Sequence, residues 1–222
     1  AEDGGLLLHQ PDVPADGGGV RVTLSKHIPA GTGLGSASSD AAAALLGLNR
    51  FANLAMPDRV LHEIAASLGS DINFFLDGPL AWCTGRGEKI TPLDTPYAFG
   101  ALVLTPRITI STKKVYENYT HSPAEYRTLH KKINPLLAKK NVDSVAKICA
   151  NMLEPSCFHL ESRLATLKQT CEGLCDSNVC LSGSGSAMYV LDPTLDETLL
   201  RLQETLKTEF DCESRFVNNN RW

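Results

Sequence analysis

The sequence predicts an α+β fold, and three observations carry that expectation. Short alternating or apolar runs have strand periodicity, Ala- and Leu-rich runs between them have helical periodicity, and glycine-rich turns stand where one kind of run gives way to the other. With 222 residues, 43% of them hydrophobic, the chain can bury a core as one large domain or as two small ones that share a cleft. A net charge of −4 and the absence of a basic run argue against nucleic acid or an anionic membrane surface as the main partner. No apolar run approaches the ~20 residues a membrane span requires. Residues Ala1–Leu8 carry no basic region or cleavage signature, so no export signal is read there. Seven scattered cysteines suit reduced thiols in a cytoplasmic enzyme better than a disulfide framework, and Cys171 falls on an apolar stripe with Leu160, Leu164, Leu167 and Leu174.

Beyond an irregular start, Val20, Val22 and Leu24 alternate with Arg21, Thr23 and Ser25, the period of a half-buried strand running to Lys26. A loop follows: Pro29-Ala30-Gly31-Thr32-Gly33-Leu34-Gly35-Ser36-Ala37-Ser38-Ser39. Its glycines let a ligand approach the backbone, while Ser38 and Ser39 put hydroxyls and free N–H groups at a helix start, a combination that binds anions and above all phosphate. A flexible turn ending in an ordinary helix cap is the alternative. No Gly-Lys-Ser/Thr closes the loop, and the dinucleotide-binding spacing is absent.

An Ala-rich helix is expected from Asp40 to about Leu54, with Asp40 in its first turn favouring the helix dipole. Pro57 and Asp58 open a second helix, which bears Leu61, Ile64, Ala65 and Leu68 on one face and stops at Gly69. The next run, Gly69-Ser70-Asp71-Ile72-Asn73-Phe74-Phe75-Leu76, by position alone makes Asp71 a cap or turn residue. Strands are expected over Leu80–Thr84 and Phe99–Thr105, separated by the charged turn Gly85-Arg86-Gly87-Glu88. Helices are expected over Tyr126–Lys139, Val142–Leu153 and Leu160–Leu174, the second marked by Val145, Ile148, Cys149 and Met152. The run Leu181-Ser182-Gly183-Ser184-Gly185-Ser186-Ala187 would read as a linker by composition, but apolar strand segments flank it. A strand over Ala187–Leu191, a helix over Leu195–Phe210 and a strand over Ser214–Val217 complete the chain.

The loop at 29–39 resembles the second motif of the GHMP kinases, with Ser36 and Ala37 in place of two of the family's glycines. Within that family the match is to the branch acting on 4-diphosphocytidyl-2-C-methyl-D-erythritol. The 69–76 run resembles that branch's Gly-Ala/Ser-Asp-Val-Pro-Phe-Phe, with Asn73 where proline is usual and a loosened backbone expected from the change. Gly85–Glu88 is similar to its Gly-Arg-Gly-Glu turn, Pro106–Tyr116 to its Pro-x-Ile-x-Val-Ser-Thr-x-x-Val-Tyr/Phe segment, and 181–186 to the third GHMP motif. The resemblance implies a GHMP kinase-like two-layer sandwich, with a ribosomal protein S5 domain 2-like N-terminal part, here incomplete, and a ferredoxin-like C-terminal part. The boundaries expected are 1–96 for the ATP-binding domain and 97–222 for the C-terminal domain.

The resemblance also implies chemistry: ATP-dependent phosphorylation of the substrate's 2-hydroxyl in the non-mevalonate isoprenoid pathway. Asp71 would be the general base, Pro29 to Ser39 would hold ATP, and Ser38 and Ser39 would be contacts for Mg²⁺. Tyr116 would be the nucleobase platform, and Ser182, Gly183, Ser184 and Gly185 would hold substrate. The family's first motif, Pro-Ala-Lys-Ile/Leu-Asn-Leu with its catalytic lysine, does not occur, and the resemblance runs from about Val20 to Val217. The expectation is a poor kinase when this chain acts alone, with nucleotide binding better preserved than turnover. Another GHMP small-molecule kinase and a non-catalytic nucleotide-binding remnant are the alternatives.

Overall fold

The computed structural model describes residues 6–9, 20–78, 80–93, 99–139, 144–145, 147–148, 150–175, 177–191 and 197–218. They fall into two units, one within Ala1–Ala30 and Gly35–Asp94, the other within Gly31–Leu34 and Thr95–Asn220.

In the first unit, β1 (Leu6–His9) and β2 (Arg21–Leu24) form an antiparallel ribbon with Leu6 opposite Leu24. The alternation in β2 predicts one buried face, yet the whole strand is exposed, Val22 at 45% and Leu24 at 46%. Helix α1 (Ser36–Phe51) starts four residues before the expected Asp40, because Gly35 itself serves as N-cap and the first helical bond runs from Ser39 N–H to the Gly35 carbonyl. Asp40 therefore lies beyond the first turn and pairs with Lys26 at 3.0 Å instead of serving the helix dipole. Helix α2 (Asp58–Leu68) enters through extended Pro57 and leaves at extended Gly69. The short helix α3 (Ile72–Asp77) follows, then a hairpin of β3 (Ala81–Thr84) and β4 (Lys89–Pro92). Ala42 on α1, Ala65 on α2 and Ile72 on α3 are buried together, with Ala41, Leu45, Phe75 and Leu76 against them.

The second unit is built on an antiparallel sheet in the order β6-β7-β5-β8. Its strands are β5 (Gly100–Pro106), β6 (Cys180–Leu181), β7 (Met188–Leu191) and β8 (Cys212–Asn218), with Leu102 opposite both Val190 and Phe216. Its helices are α4 (Thr112–Glu117), α5 (Pro123–Ala138), α6 (Glu154–Leu160), α7 (Ser162–Cys175) and α8 (Glu197–Phe210). Leu102, Leu104, Leu164, Leu167, Met188, Leu202 and Leu206 form the fully buried heart of the core. The single helix expected over Leu160–Leu174 is divided at Glu161, which leaves the helical region (φ −146°), so Leu160 ends α6 at 38% exposure. Of the helix expected over 142–153, residues 142, 143, 146 and 149 lie outside the described residues, and 150–153 are not helical. The expected start of the last helix at Leu195 also lies outside them.

Cys157, Cys171 and Cys212 are buried free thiols. Cys180 is disulfide-bonded, against the expectation of reduced cysteines throughout, and Cys149 lies outside the described residues. Among the described residues no helix is long and apolar enough to cross a membrane, and no cluster of three or more His, Cys, Asp or Glu side chains has metal-binding proximity.

Candidate active site

The glycine-rich segment divides between the two units: Pro29, Ala30 and Gly35 to Ser39 belong to the first, Gly31 to Leu34 to the second. In the first unit Gly35 holds a left-handed conformation (φ 70°, ψ 15°) that places the first turn of α1 with no side chain capping it. The leading N–H groups of a helix have no intrahelical partner, and the positive end of the helix dipole lies there, so this turn presents an anion-binding donor set. Ser39 donates its hydroxyl to the Ser36 carbonyl at 2.9 Å, leaving its oxygen lone pairs as acceptors. Lys26 brings an ammonium to the same turn, 3.4 Å from Ser36 Oγ as well as in its ion pair with Asp40.

Asp71 stands in the same unit as the residue preceding α3. It occupies the turn and N-cap position that its place in the sequence suggests, but its carboxylate makes no capping bond and is exposed with no hydrogen-bonding or cationic partner among the described residues. A proton acceptor free of structural commitments is what a general base requires. Helix α3 runs from Asp71 to the glycine segment: Phe75 lies against Gly35, where a Cβ would come within 2.9 Å of the ring. On the other side is the turn between β3 and β4, where a Cβ on Gly87 would lie 3.5 Å from Asp71 Oδ1. Glu88 folds back so that its Oε2 accepts from the Arg86 N–H at 2.7 Å, and backbone donors of Glu88 and Arg86 hold its carboxyl below the usual range. Cys83, exposed on β3, has its thiol pushed up by desolvation and then by the charge of Asp71.

In the second unit Gly31 to Leu34 lies along the Ser182–Ala187 turn. Ser182 Oγ donates to the Gly33 carbonyl at 2.9 Å, and the Ala187 N–H donates to the Thr32 carbonyl at 2.9 Å. A Cβ on Gly33 would fall 2.1 Å from the Ser182 carbonyl oxygen and 3.1 Å from Gly185 N, so only glycine fits. Ser184 and Ser186 are buried; Ser184 shares a hydrogen bond with Thr112 Oγ1 at 3.0 Å, and Ser186 donates to the Ile108 carbonyl. This is an ordered turn, not a linker. Tyr116 is on α4 and 59% exposed.

Two asparagines hold these loops, Asn151, which sequence reasoning missed, and Asn73, which it singled out only as a replacement for proline. Asn151 Nδ2 donates to the carbonyls of Leu181 at 2.9 Å and Gly183 at 2.8 Å, fixing the 181–186 turn from a segment 30 residues away. Asn73 Nδ2 donates to the Glu88 carbonyl at 3.1 Å, joining α3 to the hairpin turn. Neither bond has a local sequence signal, because both are made to backbone carbonyls remote in the chain.

The family model for the GHMP kinases N terminal domain matches residues 6–78. A 4-diphosphocytidyl-2-C-methyl-D-erythritol kinase of Bacillus cereus is 35% identical over 176 residues, 78% of this chain and 60% of the relative. One from a Geobacillus species is 32% identical over 173 residues. The chain thus spans about three fifths of the length of these curated relatives, 60% in each case. A crystal structure of 4-(cytidine 5'-diphospho)-2C-methyl-D-erythritol kinase superimposes with a TM-score of 0.65 at 30% identity, covering 91% of this chain and 72% of that one. A homoserine kinase from Cytophaga hutchinsonii shares the fold with a TM-score of 0.69 at 17% identity. With sequence identity, fold and the glycine segment agreeing, the chain belongs to the GHMP kinases, in the 4-diphosphocytidyl-2-C-methyl-D-erythritol kinase family.

Proposed function

We propose that the protein to which this chain belongs transfers the terminal phosphoryl group of ATP to the 2-hydroxyl of 4-diphosphocytidyl-2-C-methyl-D-erythritol. The single observation that carries this reading is the free carboxylate of Asp71 at the head of a helix whose Phe75 contacts Gly35, beside the uncapped start of α1. In this reading the first-turn N–H groups of α1, within the Pro29 to Ser39 segment assigned to ATP, bind the phosphates together with Lys26. Asp71 accepts the hydroxyl proton as the oxygen–phosphorus bond to the acceptor forms and the bond to ADP breaks. Ser38 and Ser39 would hold Mg²⁺, which supplies charge neutralisation on the transferring group. Tyr116 stacks on the cytosine, Ser182 to Gly185 contact the substrate, and the second unit serves as the family's C-terminal domain.

The test is incubation of the chain with ATP, Mg²⁺ and, in separate reactions, the cytidyl substrate, mevalonate and homoserine, with ADP release and phosphorus NMR as readouts. The expected result is slow ADP release with the cytidyl substrate, in keeping with a poor kinase when this chain acts alone, and a new phosphate monoester on its 2-hydroxyl. Turnover of mevalonate or homoserine in preference to it would reassign the substrate, and nucleotide binding without any transfer would favour a non-catalytic role.

A further inference from the structure

Asn73 is 4% exposed, in the first turn of α3, two residues beyond Asp71. Its amide nitrogen donates to the Glu88 carbonyl at 3.1 Å, and its Oδ1 is buried with no partner. A buried acceptor left unpaired is unfavourable, so what the side chain contributes is its donor. That donor reaches a turn closed by its own bonds: Gly87 N–H to the Thr84 carbonyl at 3.1 Å, and Arg86 N–H to Glu88 Oε2 at 2.7 Å. The turn's backbone in turn flanks the candidate base: a Cβ added to Gly87 would lie 3.5 Å from Asp71 Oδ1 and 3.8 Å from the Ser70 carbonyl oxygen. The residue expected to loosen the backbone beside Asp71 instead supplies a cross-link that proline cannot make.

We propose that Asn73 is a positioning residue for Asp71: its amide ties the Gly85–Glu88 turn to α3, so that Gly87 walls one side of the carboxylate and limits the directions in which it can aim. The proposal rests on the reading of Asp71 as the general base. A displacement of about 1 Å at a reacting group can cost ~10²-fold in rate, so the tether is expected to act on turnover more than on nucleotide binding.

Two variants test it: Asn73→Ala removes the amide, and Asn73→Pro restores the family's residue at a first-turn position where helices accept proline. Both are expected to lower kcat by about 10-fold while KM for ATP stays within about twofold. The second readout needs no turnover. Cys83 feels the charge of Asp71, so Asp71→Asn should speed its alkylation by iodoacetamide at mildly alkaline pH. That acceleration is expected to shrink by about half or more in the Asn73→Ala background, a double-mutant coupling between the tether and the carboxylate. If the chain with Asn73 intact transfers no phosphate, the kinase reading fails and the Cys83 cycle alone decides the positioning role. Unchanged kcat in either variant overturns the proposal. So does a fall in kcat while the acceleration at Cys83 is undiminished in the Asn73→Ala background, which would mark a general loss of stability.

Discussion

Phe75 rests directly on Gly35: the position a Cβ would take there is 2.9 Å from Phe75 Cζ and 3.1 Å from Cε2. The contact joins the helix that begins after Asp71 to the residue that starts α1, so a change at either one is felt at the other. Gly35 also holds φ 70°, a conformation that costs an L-residue about 1–2 kcal/mol.

Gly35→Ala is therefore expected to lower stability by about 2–4 kcal/mol, adding overpacking against Phe75 to the backbone cost. Pairing it with Phe75→Leu should recover part of that loss, the part due to the ring. Nucleotide affinity, measured by calorimetry, should remain depressed in the pair, because the first turn of α1 is still misplaced. Recovery of both stability and affinity would show that the left-handed conformation at residue 35 is unimportant.

Gly33 and Ser182 offer a graded comparison within the second unit. Ser182→Ala removes one hydrogen bond, to the Gly33 carbonyl, and should cost about 1 kcal/mol. Gly33→Ala drives a methyl to 2.1 Å from a carbonyl oxygen, with backbone as the obstacle and no side chain to yield. Its expected cost is about 3 kcal/mol or more, the upper end for overpacking. Urea denaturation of the two variants side by side checks the order, and equal losses would show that the turn relaxes around the added methyl.

Asp71→Asn separates the cap reading from the base reading. The carboxylate makes no capping bond, so thermal unfolding is expected to move by no more than about 0.5 kcal/mol, the usual range for a surface change without special contacts. Turnover of the cytidyl substrate should fall by roughly 10²–10⁴, with KM for ATP little changed. A stability loss comparable to that of a lost N-cap, about 1 kcal/mol, would return Asp71 to a structural role.

Much of this arrangement was legible because its signals are local. The stripe Leu199, Leu202, Leu206 fixes the inner face of α8, and the two glycine- and serine-rich strings stand out by composition. The role proposed for Asp71 rests on its neighbours' resemblance to a motif, since position alone favoured a cap or turn residue. What could not be read depends on partners far apart in the chain. Gly33 meets Ser182 across 149 residues, and the Asn73 and Asn151 amides grip carbonyls 15 and 30 residues away. The burial of a strand likewise depends on what covers it: β2 has the alternation of a half-buried strand and is exposed throughout. Strand β4, four residues ending in proline, is too short for any periodicity to show.

The buried thiols make stability depend on alkaline pH with a defined sign. Desolvation pushes Cys157 up to about 11 and Cys171 and Cys212 up to about 12; neighbouring carboxylates and thiols add to it, and a backbone bond from Thr105 partly opposes it at Cys212. An unfolded thiol ionises near an ordinary value of about 8.5, so between that pH and the folded values the unfolded chain releases protons that the native chain keeps. Their stabilising contribution is thus complete below about pH 8.5 and is lost progressively as pH rises toward the folded values. Lysines and tyrosines also titrate in this range, so the informative quantity is the difference between the parent and Cys171→Ala. The variant should be less stable at neutral pH, by about 1–2 kcal/mol for a small cavity, yet lose stability less steeply as the pH is raised from 8 to 10. Urea midpoints collected at intervals across that range measure the two slopes, and parallel slopes would mean that Cys171 ionises in the folded protein as readily as in the unfolded chain.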